Sequence, residues 1–294
     1  NNTTGINNVA IGFQAGHAHT TGNSHTMVGF GAGQATTTDI GITAVGREAL
    51  YANTTGSGGS YNVAIGYRAM YTNTTGYYNT AVGFQSLYSN NGLFNTALGF
   101  KALKANTSGQ NSVAIGYQAL QANTTASSNV AVGLSALQAN TTGTSNVSVG
   151  TSTLVNCTTG DSNTACGHQS LNAMTTGEGN TGIGMNSSLS VTTGIRNTGV
   201  GLESNRSKTT GSNSVAIGFQ SLYYNTTSDN NTAVGWQAGF NTSTGQGNTT
   251  LGRSAGDVTT TGSYNTSLGY FADPSSATAS GEFTLGDTNV ATLR

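Results

Sequence analysis

The chain is predicted to be an all-β protein, a parallel β-solenoid built from 17-residue coils, and three observations predict it. A glycine preceded by an aliphatic residue returns at Gly12, Gly29, Gly46, Gly66, Gly83, Gly99, Gly116, Gly133, Gly150, Gly167, Gly184, Gly201, Gly218, Gly235, Gly252, Gly269 and Gly286; fourteen of the sixteen intervals are 17 residues, one is 20 and one is 16. The residue before the glycine is Val, Ile or Leu in sixteen of the seventeen repeats, and the residue three before it is Thr or Val in sixteen. Between these blocks lie turn-forming segments of the Asn-Thr-Thr-Gly kind. A repeat this short cannot bury its apolar face alone, so it must stack on its neighbours in a one-dimensional array.

With the glycine as position zero, the consensus reads Asn-Thr/Val-Ala-Val/Ile-Gly-aromatic-Gln-Ala-Leu, two variable residues, Asn-Thr-Thr-Gly and two more. Residues 111–126 follow it, with Ile115, Gly116 and Leu120 in their slots, and Asn129, Val132 and Gly133 open the next repeat. The β-branched block before the glycine predicts a strand, and alternation places the minus-three, minus-one and plus-one residues on one bulky face. Ala and the glycine share the opposite, nearly flat face. The Ala-Leu segment could form one helical turn, but six residues bounded by Gly and Asn-Thr-Thr-Gly do not make a stable helix. Two short strands per coil are therefore expected, with Asn-Thr-Thr-Gly as the turn and its Asn and Gly in conformations other residues resist.

Length changes respect this division. The long interval carries Ser57-Gly58-Gly59-Ser60 directly after a turn, and the short one loses a residue at Asn90-Asn91-Gly92. Strands must stay in register with their neighbours while a surface turn can bulge. Asn stands four before the glycine in twelve repeats, a recurrence that suits side-chain ladders between coils about 4.8 Å apart. Sixteen such steps predict a rod roughly 75 to 80 Å long. The aliphatic slot and the Leu slot (Leu87, Leu103, Leu120, Leu137, Leu154, Leu171, Leu222) are expected to fill a thin interior. Because a narrow solenoid buries little apolar area against its ordering entropy, the flat Ala/Gly face is expected to pack on other copies, three around one axis. The repeat is assigned to residues 1–270, with a degenerate terminal coil over 271–294.

Composition narrows the function. Only 6% of residues are charged, 9 basic against 10 acidic, so there is no basic stripe for nucleic acid and no polybasic membrane anchor. No apolar run reaches the length of a membrane span, and neither the charged nor the apolar region of a signal peptide opens the chain. The chain starts inside a repeat, which suggests a portion of something longer. Cys157 and Cys166 replace an Asn and an aliphatic residue in their slots and are read as substitutions, not as a disulfide framework. Ten scattered acidic residues provide no carboxylate pair, and no Ser, His and acid are ordered as a triad, so no enzyme and no cofactor are expected.

His17, His19 and His25 form the one metal-like cluster: on a strand His17 and His19 would point the same way, a ligand set suited to transition metals. Against that, His19 and His25 occupy Asn slots and read as tolerated replacements. The shortage of Asp excludes Gly/Asp-rich calcium repeats. Six turns, at Asn53, Asn73, Asn106, Asn123, Asn140 and Asn225, match N-glycosylation acceptors, which turn geometry explains equally well. Tyr71, Tyr77 and Tyr78, with Tyr88, Tyr223 and Tyr224, fall outside the core slots; they could stack on glycans or pack along the coils. A Thr ladder for ice binding is disfavoured, because adjacent Thr residues face opposite ways.

The blocks Asn111-Ser112-Val113-Ala114-Ile115-Gly116 and Asn213-Ser214-Val215-Ala216-Ile217-Gly218 closely resemble the motif of trimeric autotransporter adhesin heads. That resemblance implies left-handed parallel β-rolls assembled as homotrimers. Those heads use a shorter coil, so the added Asn-Thr-Thr segment leaves both a two-sided roll and a three-sided helix open. The C-terminal Leu285-Gly286-Asp287-Thr288-Asn289-Val290-Ala291-Thr292-Leu293-Arg294 resembles the junction that precedes the self-cleaving chaperone domain of phage tail fibres, as do repeats rich in Asn-Thr-Ala-Val-Gly, and it implies such a domain after Arg294. Together the resemblances imply an extracellular fibre segment of a phage tail that attaches to a host-surface glycan or protein. The alternatives are a bacterial trimeric surface adhesin or extracellular filament subunit and, in another class, a polysaccharide-degrading spike.

Overall fold

Three-residue strands recur at the predicted block in the computed structural model, which describes residues 2–54 and 60–288. Ser57, Gly58 and Gly59 of the long interval, and Asn289 to Arg294 of the C-terminal junction, lie outside the described residues. The chain divides into two compact units, Asn1–Asn146 and Val147–Arg294. The first holds β1 (Val9–Ile11), β2 (Thr26–Val28), β3 (Thr43–Val45), β4 (Val63–Ile65), β5 (Thr80–Val82), β6 (Thr96–Leu98), β7 (Val113–Ile115) and β8 (Val130–Val132). The second holds β9 (Val147–Val149), β10 (Thr164–Cys166), β11 (Thr181–Ile183), β12 (Thr198–Val200), β13 (Val215–Ile217), β14 (Thr232–Val234), β15 (Thr249–Leu251), β16 (Thr266–Leu268) and β17 (Phe283–Leu285).

Within each unit every strand pairs in parallel with the next, one coil further on, as a parallel β-solenoid. Register follows the repeat: Ala114 lies opposite Ala131 in the first unit and Ala216 opposite Ala233 in the second. It survives both irregular intervals, since Ala44 still faces Ala64 and Ala81 still faces Ala97. A one-residue slip would turn the strand's middle residue from inside to outside, so the length change is absorbed elsewhere.

Each described coil contains one strand, not the two expected. Beyond the glycine the chain runs as turns, yet its main chain keeps laddering: Gln118 N–H donates to Phe100 O of the previous coil, Leu120 N–H to Ala136 O of the next, and Ala122 N–H to Gln138 O. Residues with positive φ make this path possible. Gln118 (φ 56°), Leu120 (φ 50°) and Ser128 (φ 61°) are left-handed, and the same three slots repeat this along the chain. The expectation that the turn's Asn and Gly take unusual conformations is therefore corrected. The strained positions are two, four and twelve after the glycine, and Leu fills the second of these most often. Each non-glycine residue there costs about 1 kcal/mol. At position zero only glycine serves: Gly116 has φ 133°, and a Cβ there would lie 2.7 Å from the carbonyl carbon of Gly133.

The interior reverses half of the packing expectation. The strand's middle residue is buried while its flanking residues face outward, as Ala131 between Val130 and Val132 illustrates. Ala is thus the inside of the coil and cannot pack on another copy. The aliphatic slot, including Ile115 and Val132, points out of the coil and is not its filling. Leu120 and its equivalents are fully buried, as expected, beside Ala119 and Ala136. In most coils the interior holds two Ala and one Leu, as Ala131, Ala136 and Leu137 do.

Two columns of buried side chains run along the coils, one mostly Asn throughout and the other Asn from Asn53 to Asn140. Asn129, four before its glycine, accepts Asn146 N–H at 2.9 Å through Oδ1 and donates through Nδ2 to Gly143 O at 2.8 Å. Its side chain thereby links one coil to the next and spans its own loop. The Asn of the Asn-Thr-Thr-Gly turn forms a second ladder, side chain to side chain: Asn106 donates to Asn90 at 2.7 Å, Asn123 to Asn106 at 2.8 Å and Asn140 to Asn123 at 3.1 Å. Buried amides stacked in register satisfy one another, which removes the desolvation penalty that a lone Asn would carry.

Candidate functional site

Turning the strands so that Ala points inward leaves the minus-three, minus-one and plus-one residues on an open sheet face. In the first unit this face carries Leu98 at 47% exposure and Tyr117 at 48%, and in the second Ile183 at 41% and Leu251 at 51%. The plus-one column stacks ring on ring: Tyr67 on Phe84, Phe84 on Phe100 and Phe100 on Tyr117, with centroids 5.0 to 5.3 Å apart. In the second unit Phe219 stacks on Trp236 at 6.0 Å, and Arg253 lies 4.7 Å over the Trp236 ring. The face is thus a parallel sheet with aliphatic and aromatic side chains uncovered in coil after coil, the kind of contiguous apolar patch that marks interaction sites in other proteins.

The other tyrosines divide. Tyr71 stands between Tyr51 and Tyr88 in a second ring ladder, centroids 5.1 and 5.2 Å apart. Tyr78 stacks between Tyr61 and Phe94 at 5.4 and 5.3 Å, and Tyr77 meets Tyr78 edge-on. Tyr77 and Tyr78 are exposed. All three take part in aromatic contacts along the coils, a role the repeat period alone permits because identical slots lie one coil apart.

The histidines do not converge. His17 is exposed and His19 buried, since the segment is a run of turns and not a strand, so the two do not point the same way. His19 and His25 meet edge to face with centroids 4.9 Å apart. Asn8 Nδ2 lies 3.0 Å from His19 Nε2, and His25 Nδ1 accepts Ile42 N–H at 3.2 Å. Burial, with His19 adding to it, lowers the His25 pKa to about 4. Both rings stand in the two Asn columns. Among the described residues no group of three or more His, Cys, Asp or Glu side chains is placed to hold a metal ion.

The six glycosylation motifs are closed by the same columns. Asn53, Asn73, Asn106, Asn123, Asn140 and Asn225 are fully buried, and their Nδ2 atoms are engaged, as in Asn53 to Asp39 Oδ2 at 3.0 Å and Asn225 to Ser228 Oγ at 2.5 Å. A glycan on any of them is incompatible with the folded coil. Cys157 is buried and Cys166 exposed, both as free thiols.

One residue that the sequence did not single out stands in the turn column of the second unit, where the slot varies among Cys157, Met174, Val191, Asn225 and Thr242. Lys208 is fully buried and donates to Ser214 Oγ and Asn225 Oδ1, both at 2.9 Å, and to Ser228 O at 2.6 Å. Burial lowers its pKa to about 8. The same slot holds Val191 in the coil before and Asn225 in the coil after, and a charged residue there was the available signal.

No family model, no curated protein and no solved structure matches the chain. No helix among the described residues is long and apolar enough to cross a membrane.

Proposed function

We propose that this chain is a structural and adhesive fibre segment of the phage tail-fibre kind, assembled with two further copies of itself and displayed outside the cell to attach to a host surface. The observation that carries the reading is the open sheet face. In each unit it exposes aliphatic and aromatic side chains in coil after coil, as Leu98, Tyr117, Ile183 and Leu251 do, and a standard stable interface buries about 800 Å² per partner. Both units present it in the same three slots, so three copies set side by side would bring like columns to one axis. Monotony supports a mechanical role: successive coils repeat one set of contacts, and convergent acid, base and nucleophile positions have no place in such a pattern.

Sedimentation equilibrium of the purified chain tests the assembly. A trimer is expected, and Ile115→Lys combined with Ile183→Lys should shift it to monomer while leaving the far-ultraviolet spectrum unchanged. A monomeric parent chain overturns the reading. An antibody to the chain should decorate projections on virions or cell surfaces, and purely cytosolic labelling would count against attachment.

A further inference from the structure

The Tyr51–Tyr71–Tyr88 ladder ends abruptly. The next coil carries Lys104 in the slot five after the glycine, and the two after it carry Gln121 and Gln138. The following slot holds Ala105, Ala122 and Ala139 in those same three coils. Long side chains beside a run of methyl groups leave a groove of about 590 Å³, lined by Tyr88, Lys104, Gln121, Gln138 and the alanines. Its size falls within the range of small-molecule sites, roughly 300 to 1,000 Å³. Tyr88 stacks on Tyr71 with one ring face and turns the other into the groove, where Lys104 Nζ lies 6.0 Å from the ring centroid.

We propose that this groove binds an acidic oligosaccharide, one sugar ring on the face of Tyr88 over which Lys104 now lies, its carboxylate drawing the Lys104 ammonium off the ring and its hydroxyls on the Gln121 and Gln138 amides. The inference rests on the surface-attachment reading above and names the ligand class. Three features favour a carboxylated sugar over a neutral or apolar ligand. The groove is open and shallow, which suits a polar chain lying along the surface. Gln138 Nε2 donates to Gln121 Oε1 at 3.3 Å and to Gln118 Oε1 at 3.1 Å, so the amides are ordered before a ligand arrives. No Asp or Glu occurs between Glu48 and Asp161, while Lys101 and Lys104 stand in that stretch. The local field is therefore positive without a competing carboxylate, although the chain as a whole has a net charge of −1. Lys104 already interacts with a ring face, and a sugar carboxylate offers it a stronger, charge-assisted partner.

The test is ligand-observed NMR and calorimetry on the full chain with sialyllactose, a hyaluronan tetrasaccharide and trigalacturonate, with lactose as the neutral comparison. At least one acidic probe should bind and lactose should bind about tenfold more weakly or not at all. Lys104→Gln should erase that preference, and Ala122→Tyr should abolish binding by filling the groove. Both substitutions place a side chain that the repeat already accepts in the same slot, at Gln121 and at Tyr224 respectively. Binding of none of the acidic probes, equal binding of lactose, or binding unchanged by Ala122→Tyr overturns the proposal. Sedimentation on the same samples reads the assembly separately, so a trimer that binds no sugar refutes the groove alone.

Discussion

At the scale of single residues, the first unit contains two departures from the repeat that oppose each other in acid. His25 stands where most coils have Asn, and Asp39 where most have the turn glycine; both are buried. Burial lowers His25 from 6.5 to about 4 and raises Asp39 from 3.8 to about 6. As pH falls from 6.5 towards 4 the unfolded chain protonates at His25 before the folded one, and the coil loses on the order of 3 kcal/mol. Over nearly the same window, from 6 down to 3.8, Asp39 regains a comparable amount because its buried carboxyl becomes neutral. Native-state hydrogen exchange around β2 should therefore change little with pH in the parent chain. His25→Asn should make these amides better protected towards pH 4, and Asp39→Gly should make them markedly less so. A third departure, in the second unit, is destabilising outright: Asn205 occupies the buried Leu slot, and neither its Nδ2 nor its Oδ1 has a partner. Asn205→Leu should raise stability by about 1 to 2 kcal/mol, read as a higher thermal midpoint. All three residues are visible as breaks in the repeat. Their energetic sign is not, since it depends on which columns face inward.

An element of this fold is a coil, held by one short strand and a ladder that continues through its turns. Ile and Val before the glycine made the strand legible, because a β-branched pair separated by Ala alternates in and out. The rest of the coil was misjudged as a second strand. Gln118, Leu120 and Ser128 take left-handed φ values that none of these residue types favours. They are held there by hydrogen bonds to adjacent coils, an influence that local propensity omits. Leu120 shows the balance: its buried side chain contributes roughly 2 kcal/mol, enough to offset the backbone strain of its position. The turn after Asn123 is the tolerant part of the element. Inserting Gly-Ser between Thr124 and Thr125 should lower stability by less than about 1 kcal/mol. The same insertion between Ala131 and Val132 should shift Val132 out of register and destroy cooperative unfolding, as circular dichroism melts would show.

For the whole molecule, the question is what covers the open sheet faces. A surface made of Val, Ile, Leu and stacked rings associates by burial of apolar area, which salt does not screen. The sedimenting mass should therefore stay constant or increase between low salt and molar sodium sulfate, a salt that strengthens apolar association. Dissociation on adding salt would instead indicate a charged interface and count against the assembly. A mass independent of Ile115→Lys and Ile183→Lys would place the contact on another face.

By itself the sequence determined the period, the strand positions, their parallel register and the all-β solenoid, because a 17-residue repeat can bury its apolar groups only by stacking. It also identified the Asn column four before the glycine as a ladder, while the ladder of the turn Asn residues emerged only from the structure. Which face of each strand lines the lumen was decided only by the tertiary structure. Alternation separates Ala131 from Val130 and Val132 but assigns neither side to the interior. In most coils the interior takes Ala at the strand's middle and one Leu beyond the glycine, while the β-branched residues on either side of that Ala stay outside. That arrangement turns the apolar columns outward and buries the glycosylation-like Asn residues. The groove beside Tyr88 has the same kind of origin, since it opens where the aromatic ladder stops and small residues follow one another in space rather than along the chain.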